Sequence, residues 1–422
     1  MLLGSILLAV TPAHYIDRHS AGLLRRLRHL VGTPTVNPPG ENYDTITTWL
    51  TRELTALGLR ARRFTVPQAL LKKSLPPEQL AFPRYNILGQ LAVRGAKKTL
   101  HFNAHYDVVP VSSQWKHGSP FSGVVEGSWI YGRGTADMKG SIASLLLALQ
   151  ALRATAAKPQ LNVEVSFTAD EETDSALGTG WLVEHAPIRP DFAVVMEGGE
   201  LNQVFCGHNG TLWVEVIVHG RAAHGSRPDL GVNALEKMSA LVLALGDYQK
   251  TLARRKWCTP NGRIASPTLN VGGVFGGGAG AKINTVPAQA RFTLDRRVLA
   301  VESHAAAERD LRAFLSAAAR KIPACKISVQ KISENYACFT PPGHPFFAAM
   351  AACVTGVRGD KAVFNVSTGF NDMHFFASVL KIPTLGYGPG GRQEHAVDES
   401  AKISELLASA KIYAELLTTF AG

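Results

Sequence analysis

Apolar runs in this 422-residue chain repeatedly end in ionisable side chains, as expected where strands deliver ligands to a site. The first such end is His105-Tyr106-Asp107. Residues two apart in an extended segment point the same way, so the imidazole and the carboxylate can share a face. A histidine that binds a metal usually donates its second ring N–H to such a carboxylate. Taken alone, a turn histidine beside a solvated aspartate is the plainer account. Asp170-Glu171-Glu172 crowds three like charges at another strand end, where repulsion must raise at least one pKa unless solvent or cations relieve it. Glu197, followed by Gly198-Gly199, brings a further carboxylate, and His395 a second imidazole. Asp137 closes Tyr131-Gly-Arg-Gly-Thr-Ala-Asp137 ahead of a helical pattern. It could be an N-cap, or, with glycines letting the backbone come close, a carboxylate bridging two metals.

Two divalent cations set against Asp137, Glu172 and Glu197, with His105 and His395 neutral, leave one positive charge. That surplus favours hydroxide over water between the ions, as for metal-bound water with a pKa near ~7. Glu171, beside a ligand yet free to face a substrate, is suited to take the water's proton and pass it to a leaving nitrogen. Oxygen and imidazole ligation without thiolate suits zinc and leaves cobalt and manganese open.

The elements that must position these groups alternate between strand and helix. Thr99–Ala104, Leu161–Phe167, Phe192–Met196 and Pro383–Tyr387 read as strands, with helical patterns over Met138–Leu152 and Ala401–Phe420. This predicts an α/β fold with a mostly parallel sheet flanked by helices, whose sites form beyond the carboxyl ends of the strands. Two helices are expected between Tyr15 and Leu59, broken by the loop Thr33-Pro-Thr-Val-Asn-Pro-Pro-Gly40. The stretch from Val66 to Pro83 is irregular, either a specificity insert or a surface excursion. Between 207 and 333 two strand-then-helix units suggest a smaller inserted α+β domain, which splits the metal domain into 1–206 and 334–422. The glycine-rich stretch from Gly272 to Gly280 lacks the Lys-Ser/Thr ending of a phosphate loop, which argues against a nucleotide site.

The net charge of +11 is spread over short basic clusters such as Arg254-Arg255-Lys256. With no long basic tract, a nucleic-acid partner is not expected, and a basic face that attracts an anionic substrate is preferred. Five cysteines without a C-x-x-C pair read as thiols of a reducing compartment, so a cytoplasmic location is expected. The apolar run from Met1 to Val10 is too short to span a bilayer and lacks a basic leader, although it leaves export open. No membrane partner is expected.

The segments His105-Tyr-Asp-Val-Val-Pro110, Tyr131-Gly-Arg-Gly-Thr-Ala-Asp-Met-Lys-Gly140, Thr168-Ala-Asp-Glu-Glu172 and Met196-Glu197 together resemble the M20 metallopeptidase family. So do Ala222-Ala-His-Gly-Ser-Arg-Pro228 and Gly388-Pro-Gly390 with Glu394-His395, and the likeness runs from about Leu24 to Leu416. The family includes acetylornithine deacetylase, succinyl-diaminopimelate desuccinylase, aminoacylases and glutamate carboxypeptidases. The resemblance implies that His105 and Glu197 hold one metal, Glu172 and His395 the other, and that Asp137 bridges them. Asp107 would orient His105, and Glu171 would be the general acid/base. It further implies that His224 stabilises the oxyanion, often from a second subunit, so that a homodimer and a closing lid are expected. Asn284 and Arg297 match positions that contact a substrate carboxylate. Glu rather than Asp at position 197 accompanies deacylases and carboxypeptidases. The implied activity is hydrolysis of the amide bond of an N-acyl amino acid, with a di- or carboxypeptidase as the alternative. One departure stands out. Where many relatives carry Gly-Gly-Thr-Asp-Ala-Arg, this chain has Thr368-Gly-Phe-Asn-Asp-Met-His374, which leaves a second substrate carboxylate without that arginine, and a desuccinylase is not the reading taken.

Overall fold

The computed structural model describes residues 10–111, 114–199, 202–278 and 281–422. The apolar run at the start of the chain lies, but for Val10, outside the described residues. The chain divides into two compact units, one built from 1–206, 340–365 and 371–422, the other from 207–339 with 366–370.

The four apolar runs read as strands form the parallel centre of the first unit's main sheet. Six of its nine strands run in the order Arg60–Thr65, Tyr85–Leu91, Asn162–Thr168, Thr99–His105, Phe192–Val195 and Thr384–Gly386, next to which Gln203–His208 is added. Of these six, the last four are parallel to one another, and the first two run antiparallel at the edge. Leu100, Phe102 and Ala104 are buried on one side of the central strand, while His101, Asn103 and His105 are buried on the other. A strand buried on both faces is what a helix-covered parallel sheet requires. Helix Lys139–Thr155 is apolar nearly all round, with Ile142, Leu145, Leu146 and Leu147 buried, and it packs against helix Ile403–Thr419. A helix without a polar face belongs in a core.

Three helices, rather than two, precede the first strand: Pro12–Arg18, Ser20–Val31 and Tyr43–Ala56. The extra break falls at His19, which leaves helical geometry while its ring stacks on Tyr15 and its Nδ1 bonds the Tyr15 carbonyl. The excursion after Val66 is packed down: helix Gln68–Ser74 seats Leu71 against Val66, Leu177 and Trp181. A small four-stranded sheet then joins Gly391–Arg392, Ser400–Lys402, Trp129–Tyr131 and Val124–Glu126. It ties the chain just before Asp137 to the chain on either side of His395.

The second unit is a four-stranded antiparallel sheet in the order Thr268–Gly277, Gln289–Val298, Gly210–His219 and Lys326–Asn335. Leu212, Val214, Val216 and Val218 alternate inward and pack with Leu241, Leu245, Leu311 and Leu315 of helices Ala234–Arg254 and His304–Lys321. Asn233 and Ser303 cap those helices through their side chains. Most of the glycine-rich stretch is a sheet-edge strand whose register shifts between Val271 and Phe275. All five cysteines are free thiols. Among the described residues no helix is long and apolar enough to cross a membrane.

Candidate metal centre

Each parallel strand of the first unit hands one element of the centre to the same end of the sheet. His105 is the last residue of strand Thr99–His105, and Glu171 and Glu172 open a single turn just after strand Asn162–Thr168. Glu197 follows strand Phe192–Val195 by two residues, and His395 lies on the segment after strand Thr384–Gly386. The five expected ligands come together. His105 Nε2 lies 3.0 Å from Asp137 Oδ1 and 3.5 Å from Glu197 Oε1. His395 Nε2 lies 3.0 Å from Asp137 Oδ2 and 3.0 Å from Glu172 Oε2. Asp137 therefore offers one oxygen to each imidazole. It is not an N-cap: the helix begins at Lys139, and Met138 occupies the cap position without a side-chain bond.

Asp107 holds the inner imidazole. Its carboxylate is 3.4 Å from His105 Nδ1, and its carbonyl oxygen is 3.1 Å from the same nitrogen. The same carboxylate accepts the backbone N–H groups of Glu171 and Glu172 at 3.2 and 3.3 Å. One buried anion thus sets both the tautomer of His105 and the turn that carries the two glutamates.

Crowding fixes the electrostatics. Burial pushes Glu171 well above the usual glutamate range, and Glu197 and Glu172 add to the shift by repulsion. Burial and the charge of Asp137 raise Glu172 to about 7, despite the hydrogen bond with His395, and they raise Glu197 as well. Burial also works to raise Asp137, but hydrogen bonds with His105 and His395 hold it below the ordinary aspartate range. Burial opposes a charge on His105, yet its bonds with Asp107, Asp137 and Glu197 carry its pKa well above 6.5. Buried carboxylates that raise one another's pKa are a site lacking positive charge. Ligand atoms of His105, Asp137 and Glu172, and of His105, Glu171 and Glu197, lie within 4.8 Å of one another. An all-oxygen-and-imidazole donor set of this density fits divalent cations such as zinc, cobalt or manganese.

Two contributors escaped the sequence reading. Glu399 is fully buried, and its Oε1 accepts from the backbone N–H groups of Gly134, Ala136 and Asp137 at 2.9, 2.9 and 3.1 Å. Its Oε2 pairs with Arg133 at 2.7 Å, so it holds the loop that presents Asp137. Asp372, 1% exposed, accepts from the Ser175 hydroxyl and, at 2.6 Å, from Thr179. His374, where the resemblance leads one to expect an arginine, is buried, its Nδ1 2.8 Å from the Asn371 carbonyl and its ring against Phe375.

The remaining candidates belong to the second unit. His224 pairs with Thr285 across an isolated bridge, and Gly225 N donates to the Asn284 carbonyl at 2.7 Å, so His224 and Asn284 are neighbours. Arg297 is not among them. It is near the far end of strand Gln289–Val298, bonded to Asp295 at 3.1 Å. Eight residues of antiparallel strand separate Gln289 from Arg297, roughly 27 Å.

A family model described as peptidase family M20/M25/M40 matches residues 101–419. The chain is 29% identical over 406 residues to a succinyl-diaminopimelate desuccinylase from Acidiphilium cryptum, covering 92% of this chain and 96% of that protein. It is likewise 29% identical over 401 residues to an acetylornithine deacetylase from Photorhabdus laumondii, covering 93% and 96%. In fold it is similar to an M20 family metallo-carboxypeptidase from Sulfolobus solfataricus, with a TM-score of 0.71, 22% identity and coverage of 94% and 98%. A dinuclear metal-binding peptidase of the M20 family from Bacillus subtilis gives a TM-score of 0.69 at 15% identity, with coverage of 95% and 98%.

Proposed function

Because this chain belongs to peptidase family M20/M25/M40 and is a hydrolase of amide bonds, we propose that it is a two-metal deacylase of N-acyl amino acids or related small amides bearing a free carboxylate. The observation that carries the reading is the convergence of His105, Asp137, Glu172, Glu197 and His395 around one point, with Asp137 turned to both imidazoles. His105 and Glu197 would hold one cation, Glu172 and His395 the other, and Asp137 both. The cations would polarise the scissile carbonyl and acidify the attacking water.

The chain's own residues do the rest. Glu171, next to Glu172 on the same turn but outside the five ligands, takes the water's proton and returns it to the leaving nitrogen. Asp107 keeps Nδ1 of His105 engaged so that Nε2 stays available. His224 supplies a donor to the oxyanion, and Asn284 and Arg297 read the substrate carboxylate, Arg through its planar fork. Arg297 lies near the other end of strand Gln289–Val298 from the segment that holds Asn284 beside His224, which supports the reading that the residues serving one site come from two copies in a homodimer.

The test is Glu171→Ala. Its metal content and melting temperature should match wild type while turnover of N-acyl amino acids falls by ~10³-fold, within the range of general acid/base catalysis. Unchanged turnover removes Glu171 from the reaction. Cleavage of dipeptides but of no N-acyl amino acid in the same assays would replace the deacylase with a dipeptidase.

A further inference from the structure

Asn37 belongs to a proline-rich loop that sequence alone marks only as a helix break, yet its side chain is 1% exposed and lies among the groups behind the metal centre. Its Nδ2 is 3.0 Å from Asp107 Oδ2, 3.1 Å from Asp170 Oδ1 and 3.0 Å from Thr173 Oγ1. Among the described residues its Oδ1 has no partner, so the amide is placed for what its nitrogen donates. Asp170 and Thr173 bracket the turn that carries Glu171 and Glu172, and Asp107 fixes His105 and that turn's N–H groups. Asp107 and Asp170 are both buried carboxyl groups. Arg84 neutralises Asp170 at 2.7 Å, and Tyr43 donates to it at 3.0 Å. Neither of these bonds reaches Asp107, so Asn37 is the donor the two carboxylates share.

The loop is held for this purpose. Asn37 N donates to the Val108 carbonyl at 2.9 Å, and Val108 N donates back to Thr35 at 3.0 Å. Three residues on, Gly40 has a φ of +102°, and a Cβ there would come within 2.5 Å of the Arg84 guanidinium. Only glycine leaves room for the cation that Asp170 needs.

We propose that Asn37 is a positioning residue for the amide hydrolysis, clamping Asp107 to the Glu171–Glu172 turn so that His105 and both glutamates keep one relative placement. The assignment rests on the two-metal reading above. A displacement of about an ångström at reacting groups lowers turnover by ~10²-fold, and Asn37→Ala should show that loss in kcat at saturating zinc. Its KM should stay within about threefold, the signature of lost transition-state placement. Asn37→Ser keeps one donor and should retain more of kcat than Asn37→Ala, and it carries the test if the alanine variant does not fold. Asn42→Gly is the control: it removes the 2.6 Å bond that ties the same loop through the Pro34 carbonyl, at a position whose φ of 57° glycine tolerates. It should lower melting temperature without changing kcat. The proposal is overturned if both Asn37 variants keep kcat within about threefold of wild type, or if Asn42→Gly loses as much as they do. Wild-type protein that hydrolyses no amide at all would instead overturn the two-metal reading itself.

Discussion

The two imidazoles of the metal centre are held in opposite ways. His105 ends a central strand, its side chain is 1% exposed, and both ring nitrogens face fixed partners: Asp107 on one side, Asp137 and Glu197 on the other. His395 lies on a connecting segment at a φ of 59°, with its side chain 55% exposed and, among the described residues, Nε2 alone engaged, by Asp137 and Glu172. The inner ligand is buried and held through both ring nitrogens, whereas the outer one, though bonded to Asp137 and Glu172, lies half open to solvent. Preorganised groups bind more tightly because less freedom is lost on binding. The pair of sites should therefore be unequal, with the His105 and Glu197 side the tighter.

The largest effects that could break this comparison come from removing each imidazole in turn. His105→Ala should empty both positions, because Asp137 loses the partner that aligns it. Activity should then fall by more than ~10³-fold, beyond the cost of a single electrostatic contact. His395→Ala should keep about one zinc per chain by elemental analysis, in line with the preorganisation argument. Equal loss of metal from the two variants would remove the asymmetry.

A smaller effect sharpens it through pH. Without metal, burial and Asp137 hold Glu172 up at about 7 against an ordinary 4.5, and bonds to Asp137 and Glu172 hold His395 up at about 10 against 6.5. Between the ordinary and raised values the folded protein carries more protons than the unfolded chain. These two groups then take stability away from the metal-free protein as pH rises from about 5 to about 9. A divalent cation bound there would displace those protons, so the gap in melting temperature between zinc-loaded and chelator-treated protein should widen over the same window. A gap that stays constant with pH would show that these two groups do not carry the excess charge.

The same contrast explains what could be read from sequence. His105, Glu172 and Glu197 were legible because each follows a buried apolar strand, and parallel strands deliver their ends to one place. Asp137 stayed ambiguous because an aspartate before a helix looks alike whether it caps or binds, and only its two histidine bonds decide. The edge strand Arg60–Thr65 carries three arginines and little alternation, and the strands of the small sheet are two or three residues long, so neither leaves a periodic signal. Arg84 sits in no motif that marks it, yet it is fully buried on Asp170. Asn37 and Glu399 act on partners from 70 to 266 residues away in sequence, a pairing no local pattern encodes.

Crystals of the wild-type protein grown with zinc, measured on both sides of the zinc absorption edge, bear most directly on whether five side chains hold a pair of cations. Two anomalous peaks should appear about 3.5 Å apart, as in other two-metal sites, one against His105 Nε2 and the other against His395 Nε2, with Asp137 touching both. A single peak, or peaks away from Asp137, would contradict the account.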